Sequence, residues 1–166
     1  PALDNGNYNI PAFATTTANI TKRTLTITAV GDNKVYDGNA LATVVFGDDR
    51  VLGDIMTVAS SSSTFNNKNV GVAKTVTTTG ISISGTDAAN YNLLSTNANS
   101  TANITARKLT VTVPASDKVY DGSTTAGVVS INNDAILGDV IGTFGSTGAN
   151  FIDKNAANGK LVTVNL

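Results

Sequence analysis

The sequence predicts an all-β chain built from tandem small sandwich domains. Three observations carry this expectation: a repeat with a period near 84 residues, strands that alternate Thr with apolar residues, and a scarcity of helix formers. The chain has 166 residues, room for one large domain or two small ones.

The repeat comes first because it sets the architecture. Lys34-Val35-Tyr36-Asp37-Gly38 returns 84 residues later as Lys118-Val119-Tyr120-Asp121-Gly122. Thr17-Ala18-Asn19-Ile20-Thr21 returns as Thr101-Ala102-Asn103-Ile104-Thr105 at the same offset. Leu52-Gly53-Asp54 returns as Leu137-Gly138-Asp139 at an offset of 85. Phe65, Lys68-Asn69 and Lys74 return as Phe151, Lys154-Asn155 and Lys160 at an offset of 86. Asn7-Tyr8-Asn9 matches Asn90-Tyr91-Asn92. The order is kept while the offset drifts by one or two, as tandem domains diverge through small loop insertions. Each unit is near the size of a small independent domain. Residues 1–21 are expected to be the tail of a preceding repeat, 22–106 a complete repeat, and 107–166 a second, incomplete one. A different phase, 1–82 and 83–166, divides the chain equally well.

Strands are expected where period-two alternation puts one row of side chains in the core and the Thr row toward solvent. Thr24–Ala29 and Leu109–Val113 show it most clearly. Leu41–Phe46, closed by Gly47-Asp48-Asp49, is another, with more at Ile55–Ala59, Ala73–Thr78, Ile81–Ser84 and Tyr91–Leu94. Branched Thr and Val lose little freedom on a pleated surface. Asp37-Gly38 and Asp121-Gly122 are turn dipeptides, and Ser60–Thr64 and Asn66-Asn67 have loop chemistry. Short strands with turns about every ten residues indicate an Ig-like sandwich or a barrel. A β-grasp fold, which needs a helix against its sheet, is the second expectation. The stretch Thr17–Ala29 carries neither Gly nor Pro where units meet, so a stiff joint is expected there.

Composition excludes several function classes. A net charge of −1, with no basic run beyond Lys22-Arg23 and Arg107-Lys108, gives no grip on nucleic acid or anionic lipid. No apolar run approaches the roughly 20 residues of a membrane span, so membrane insertion by this segment is not expected. An export signal, if the protein is exported, is expected outside this segment. His, Cys and Glu are absent, which removes the commonest general base, the thiolate route and half the usual carboxylates. Catalysis is therefore not expected, and no cofactor is.

Calcium is the one ion considered. Asp32, Asn33, Asp37 and Asn39 cluster near a turn, and hard cations take such oxygen ligands. Asp32, Asp37 and Asn39 are the candidate ligands; turn-forming Asx residues are the alternative. Asp48, Asp49 and Asp54 form a second acidic group. Tyr36 and Tyr120 are expected to pack at a sheet edge and bond through their hydroxyls. The Thr rows (24, 26, 28 and 75, 77, 79) are expected to face solvent. A Lys–Asn isopeptide staple is conceivable and would lower the mass by about 17 Da. Asn19, Asn99 and Asn103 begin glycosylation sequons.

With these landmarks set out, the chain resembles the YDG-type repeats of bacterial haemagglutinin-like adhesins, relatives of the MBG repeats. The residues that carry the resemblance are Lys34–Gly38, Gly53-Asp54, Lys68–Gly71 with Lys74–Val76, Ile81–Gly85 leading into Asn90–Leu93, and Arg107–Thr112. The second copy departs from the pattern at Asp153–Ala157, which lacks the Val-Gly pair. The resemblance implies an extracellular place on a bacterial cell surface and a structural role, as stalk or spacer of an adhesin or fibre. Neighbouring repeats are the implied partners. Self-association by strand addition and direct contact with host or matrix glycans are the competing expectations.

Overall fold

The computed structural model describes residues 13–128, 130–142 and 144–166. Asn7-Tyr8-Asn9 and most of the tail 1–21 lie outside them. The fold is all-β. The first repeat contains β1 (Arg23–Leu25), β2 (Ile27–Gly31), β3 (Lys34–Val35), β4 (Val44–Asp48), β5 (Thr57–Ala59), β6 (Ser62–Phe65), β7 (Gly71–Thr79), β8 (Ser82–Ser84), β9 (Tyr91–Leu93) and β10 (Ala98–Thr105). The second contains β11 (Val111–Thr112), β12 (Ala115–Ser116), β13 (Gly127–Val128), β14 (Asn132–Asn133), β15 (Gly148–Phe151) and β16 (Val162–Asn165). Among the described residues the single helical element is a 3₁₀ turn at Ala88–Asn90, so the helix of a β-grasp fold is not there.

A four-stranded sheet, in the order β3-β10-β7-β6, forms the centre of the first repeat. β10 lies parallel to β3 and antiparallel to β7. Of three two-stranded ribbons, β2-β4 packs on this sheet through β2 against β10, while β1-β9 and β5-β8 contribute side chains to a separate core cluster. The apolar rows follow the expected alternation. Val76 and Thr78 of β7 point inward and are fully buried, while Thr75, Thr77 and Thr79 face out, as do Thr24, Thr26 and Thr28. Phe65, Val76, Ala102 and Ile104 make one core cluster, with Tyr36, Ala42 and Val44 against it. Leu25, Met56 and Tyr91 make a second. Burying a side chain such as Ile104 stabilises by about 1.5–3 kcal/mol.

Several expectations needed correction. Thr24–Ala29 is not one strand: it breaks at Thr26, whose amide turns to the Asp49 carboxylate at 2.8 Å. The Gly47-Asp48 pair does not end β4 but continues it, opposite Thr28 and Ile27. The Ser60–Thr64 stretch, expected as loop, supplies β6, because its four residues pair with β7 and aim Phe65 into the core. Leu109–Val113 yields only the two residues of β11. The second Thr-Ala-Asn-Ile-Thr forms the inner end of β10. There the ladder slips between Ala102 and Ile104. Ala73, at φ +49°, sits opposite the slip, and its amide donates to Asn103 Oδ1 at 2.8 Å.

Candidate functional site

The repeated Lys-Val-Tyr-Asp-Gly motif builds the same small structure twice. Gly38 and Gly122 adopt φ of +81° and +79°, a conformation costly for a residue with a Cβ. The chain reverses there and folds its oxygens back toward the motif lysine. Lys34 Nζ donates to Asp37 Oδ1 at 2.8 Å, the Asn39 carbonyl at 3.0 Å, Asn39 Oδ1 at 3.1 Å and the Leu41 carbonyl at 2.9 Å. Lys118 Nζ repeats the pattern on Asp121 Oδ1, the Ser123 carbonyl and hydroxyl, and the Thr125 carbonyl. Each ammonium also lies over an aromatic ring, that of buried Phe65 at 5.6 Å and of half-buried Phe151 at 5.9 Å from the ring centre. The bond from Lys34 holds the Asp37 carboxyl below the usual carboxylate range. The bond from Lys118 lowers Asp121 to about 2.

This cage bears directly on the calcium expectation. Asp37 and Asn39, two of the three candidate ligands, already surround the ammonium of Lys34, which supplies the positive charge at that turn. The third, Asp32, donates its amide to the Thr43 carbonyl at 2.9 Å and is not among the groups around Lys34. Among the described residues no cluster of three acidic ligands forms. The second acidic group is also dispersed among internal partners. Asp48 is paired by Arg50, Asp49 accepts from Thr26, and Asp54 accepts from the Tyr91 hydroxyl. The bond to Asp54 raises the Tyr91 hydroxyl above its ordinary range.

Two further lysines follow the same logic. Lys74, buried, donates to Asn67 Oδ1 at 2.7 Å. Its counterpart Lys160 donates to the Asp153 carboxylate and to the Asn155 carbonyl. Asn39 and Asn67 are thus the lysine-bound Asn side chains, and their counterparts are Ser123 and Asp153. Such exchange preserves an oxygen acceptor, which is what a hydrogen bond to an ammonium requires. Asn103, one of the sequon residues, accepts the Ala73 amide on its side-chain oxygen.

Tyr36 is where the motif leaves its own repeat. Its hydroxyl donates to both carboxylate oxygens of Asp139, each at 2.7 Å, and Lys68 Nζ donates to Asp139 Oδ1 at 2.7 Å. Lys68 also lies 5.8 Å from the centre of the Tyr36 ring. Asp139 ends the turn Ile136–Asp139, closed by its amide on the Ile136 carbonyl at 3.0 Å, with Gly138 at φ +92°. The Lys68 bond, then the Tyr36 bond, lowers the Asp139 carboxyl, and the same ion pair raises Lys68. Lys68 and Asp139 recur as sequence landmarks, but their partnership across two repeats needed the fold. Val35 and Val119 point out, and Tyr120, the counterpart of Tyr36, is 60% exposed.

No curated protein and no solved structure matches the chain. The YDG domain family model matches residues 21–100 and, a second time, residues 105–166. The doubled lysine cage and the doubled match agree, and the chain belongs to the YDG domain family.

Proposed function

We propose that the two repeats are a spacer, a structural segment in the stalk of a large exported bacterial surface adhesin or fibre. The observation that carries this reading is the joint at Asp139, where one carboxylate of the second repeat is held by Tyr36 and Lys68 of the first. A joint in which one carboxylate accepts a tyrosine hydroxyl and an ammonium resists the swivelling that a coil linker allows. The motif lysines spend their bonding capacity on their own turns, which suits a part that keeps its shape rather than one that grips a ligand. The location on the cell surface rests on the resemblance to repeats of exported haemagglutinin-like proteins.

Small-angle scattering, extrapolated to zero concentration, tests the joint. The wild-type chain should give the profile of one stiff particle, and Asp139→Ala a visibly more flexible one. Equal flexibility in both would overturn the stiff spacer, and specific hits on a glycan array would replace it with a binding module.

A further inference from the structure

Each lysine cage closes over an Asp-Gly bond, the dipeptide most prone to isomerise. In an Asp-Gly pair the Gly amide nitrogen can attack the Asp Cγ. A C–N bond forms, the carboxyl C–O bond breaks, and the hydroxyl leaves with the amide proton as water. The product is a five-membered succinimide. A second water reopens the ring at either carbonyl, so the chain returns as Asp or as isoaspartate with no net change of mass. Isoaspartate puts an extra methylene in the backbone, which a tight turn does not accommodate. Glycine favours the attack because it has no Cβ to crowd the nitrogen.

The turn needs both residues of that labile pair. Gly38 and Gly122 take the left-handed conformation. Asp37 accepts the Asn39 amide on Oδ1 at 3.2 Å, and Asp121 accepts the Ser123 amide on Oδ1 at 2.9 Å. Burial does not guard the carboxyls, whose side chains are 47% and 56% exposed. The lysines do. Lys34 and Lys118 reach the same Oδ1 atoms at 2.8 Å, and each is itself anchored by the other oxygens of its cage. Each carboxylate is thus held on donors other than the Gly amide. It is also held ionised, with Asp121 at about 2 and Asp37 lowered in the same direction, and an ionised carboxylate has no hydroxyl to lose as water.

We propose that Asp37-Gly38 and Asp121-Gly122 are latent isoaspartate sites, and that Lys34 and Lys118 keep them closed by pinning the carboxylates. The motif lysine then has a chemical role besides its structural one: it makes a solvent-exposed Asp-Gly turn durable. All the hydrogen-bonding groups of each cage lie within residues 34–41 or 118–125. The inference therefore stands on the turn alone and holds whether or not the repeats form a spacer.

The test is to age the 166-residue chain for weeks at mildly acidic pH and to read isoaspartate at each site. Enzymatic methylation of isoaspartate carboxyls, followed by peptide mapping, gives that reading. The folded wild type should accumulate little at either site, and the same chain in urea should accumulate it at both. Lys34→Met should open Asp37 alone, and Lys118→Met should open Asp121 alone, with circular dichroism showing that each variant is folded. The expected rise at Asp121 is about tenfold or more, because a carboxyl held at about 2 instead of 3.8 is protonated that much less often. Ile104→Ala weakens the first repeat through its core contacts with Phe65 and Val76 but removes no cage atom, so Asp37 should stay at the wild-type level. Folded lysine variants that age like the wild type overturn the proposal. So does a wild type that isomerises as fast folded as in urea, a comparison that needs no variant. An Ile104→Ala chain that opens Asp37 as much as Lys34→Met does would assign the protection to folding in general and overturn it as well.

Discussion

Five residues occur twice in this chain with opposite fates. Ile104 within Thr101–Thr105 is 1% exposed, and Ile20 within the identical Thr17–Thr21 is 102% exposed. The two repeats differ around the motif as well. In the first, Phe65 and Val76 are buried beneath β10; in the second, their counterparts Phe151 and Val162 are only half-buried, and Tyr120 stands in solvent. The lysine cage, by contrast, is the same in both. A turn held by its own side chains forms wherever its sequence recurs, whereas the core of the first repeat draws on β10, a strand from the far end of that repeat.

The largest way to break this comparison is to remove the same methyl groups from both copies. Ile104→Ala should cost about 2–5 kcal/mol, because it opens a cavity against Phe65 and Val76. Ile20→Ala should cost less than about 0.5 kcal/mol under dilute conditions. Urea unfolding of the two variants measures both.

The cages should respond alike. Lys34→Met and Lys118→Met each strand a ring of oxygens that converged on one ammonium, and each should cost about 1–2 kcal/mol in thermal or urea unfolding. A much larger loss at Lys34 would mean that the cage depends on β10 rather than on its own turn.

Smaller still is the difference between Gly38→Ala and Gly122→Ala. Both impose a left-handed conformation on alanine, at about 1 kcal/mol each. A Cβ at Gly38 would also meet Ile136 Cγ2 at 2.8 Å, while at Gly122 it meets open space. Gly38→Ala should therefore be the more destabilising, and the excess should vanish in an Ile136→Ala background. An excess that survives there would show that the strain is not at the joint.

The finest probe is acid. Lys118 lowers Asp121 to about 2, and Lys34 lowers Asp37 in the same direction, below the unfolded value of about 3.9. A carboxyl that is more acidic when folded binds fewer protons in the native state. Its stabilisation is complete above the unfolded pKa and is lost as pH falls through the folded one. Stability should thus decline between about pH 4 and pH 2. Asp121→Asn should flatten the part owed to the second cage, read by acid titration of circular dichroism.

Much of this was legible in the residues. The lysine, aspartate and glycine of the motif lie within eight residues of the carbonyls they organise, so their spacing alone announces a turn. The Thr rows announced solvent-facing strand positions for the same local reason. Other features were not legible. Ser62–Phe65 has the chemistry of a loop and becomes a strand because β7 offers it a partner. Thr26 breaks an apparently continuous strand because Asp49, 23 residues away, captures its amide. Tyr36 reaches an acid 103 residues on, across the boundary between repeats.

The sequence by itself determined the period, the all-β character and the lysine cage, since each depends on residues a few positions apart or on identity between copies. Only the tertiary structure decided that Thr101–Thr105 pairs with β7 and completes the core on Phe65 and Val76. A strand's alternation fixes which side chains share a face, but its burial depends on the edges that pair with it, and those edges come from distant chain.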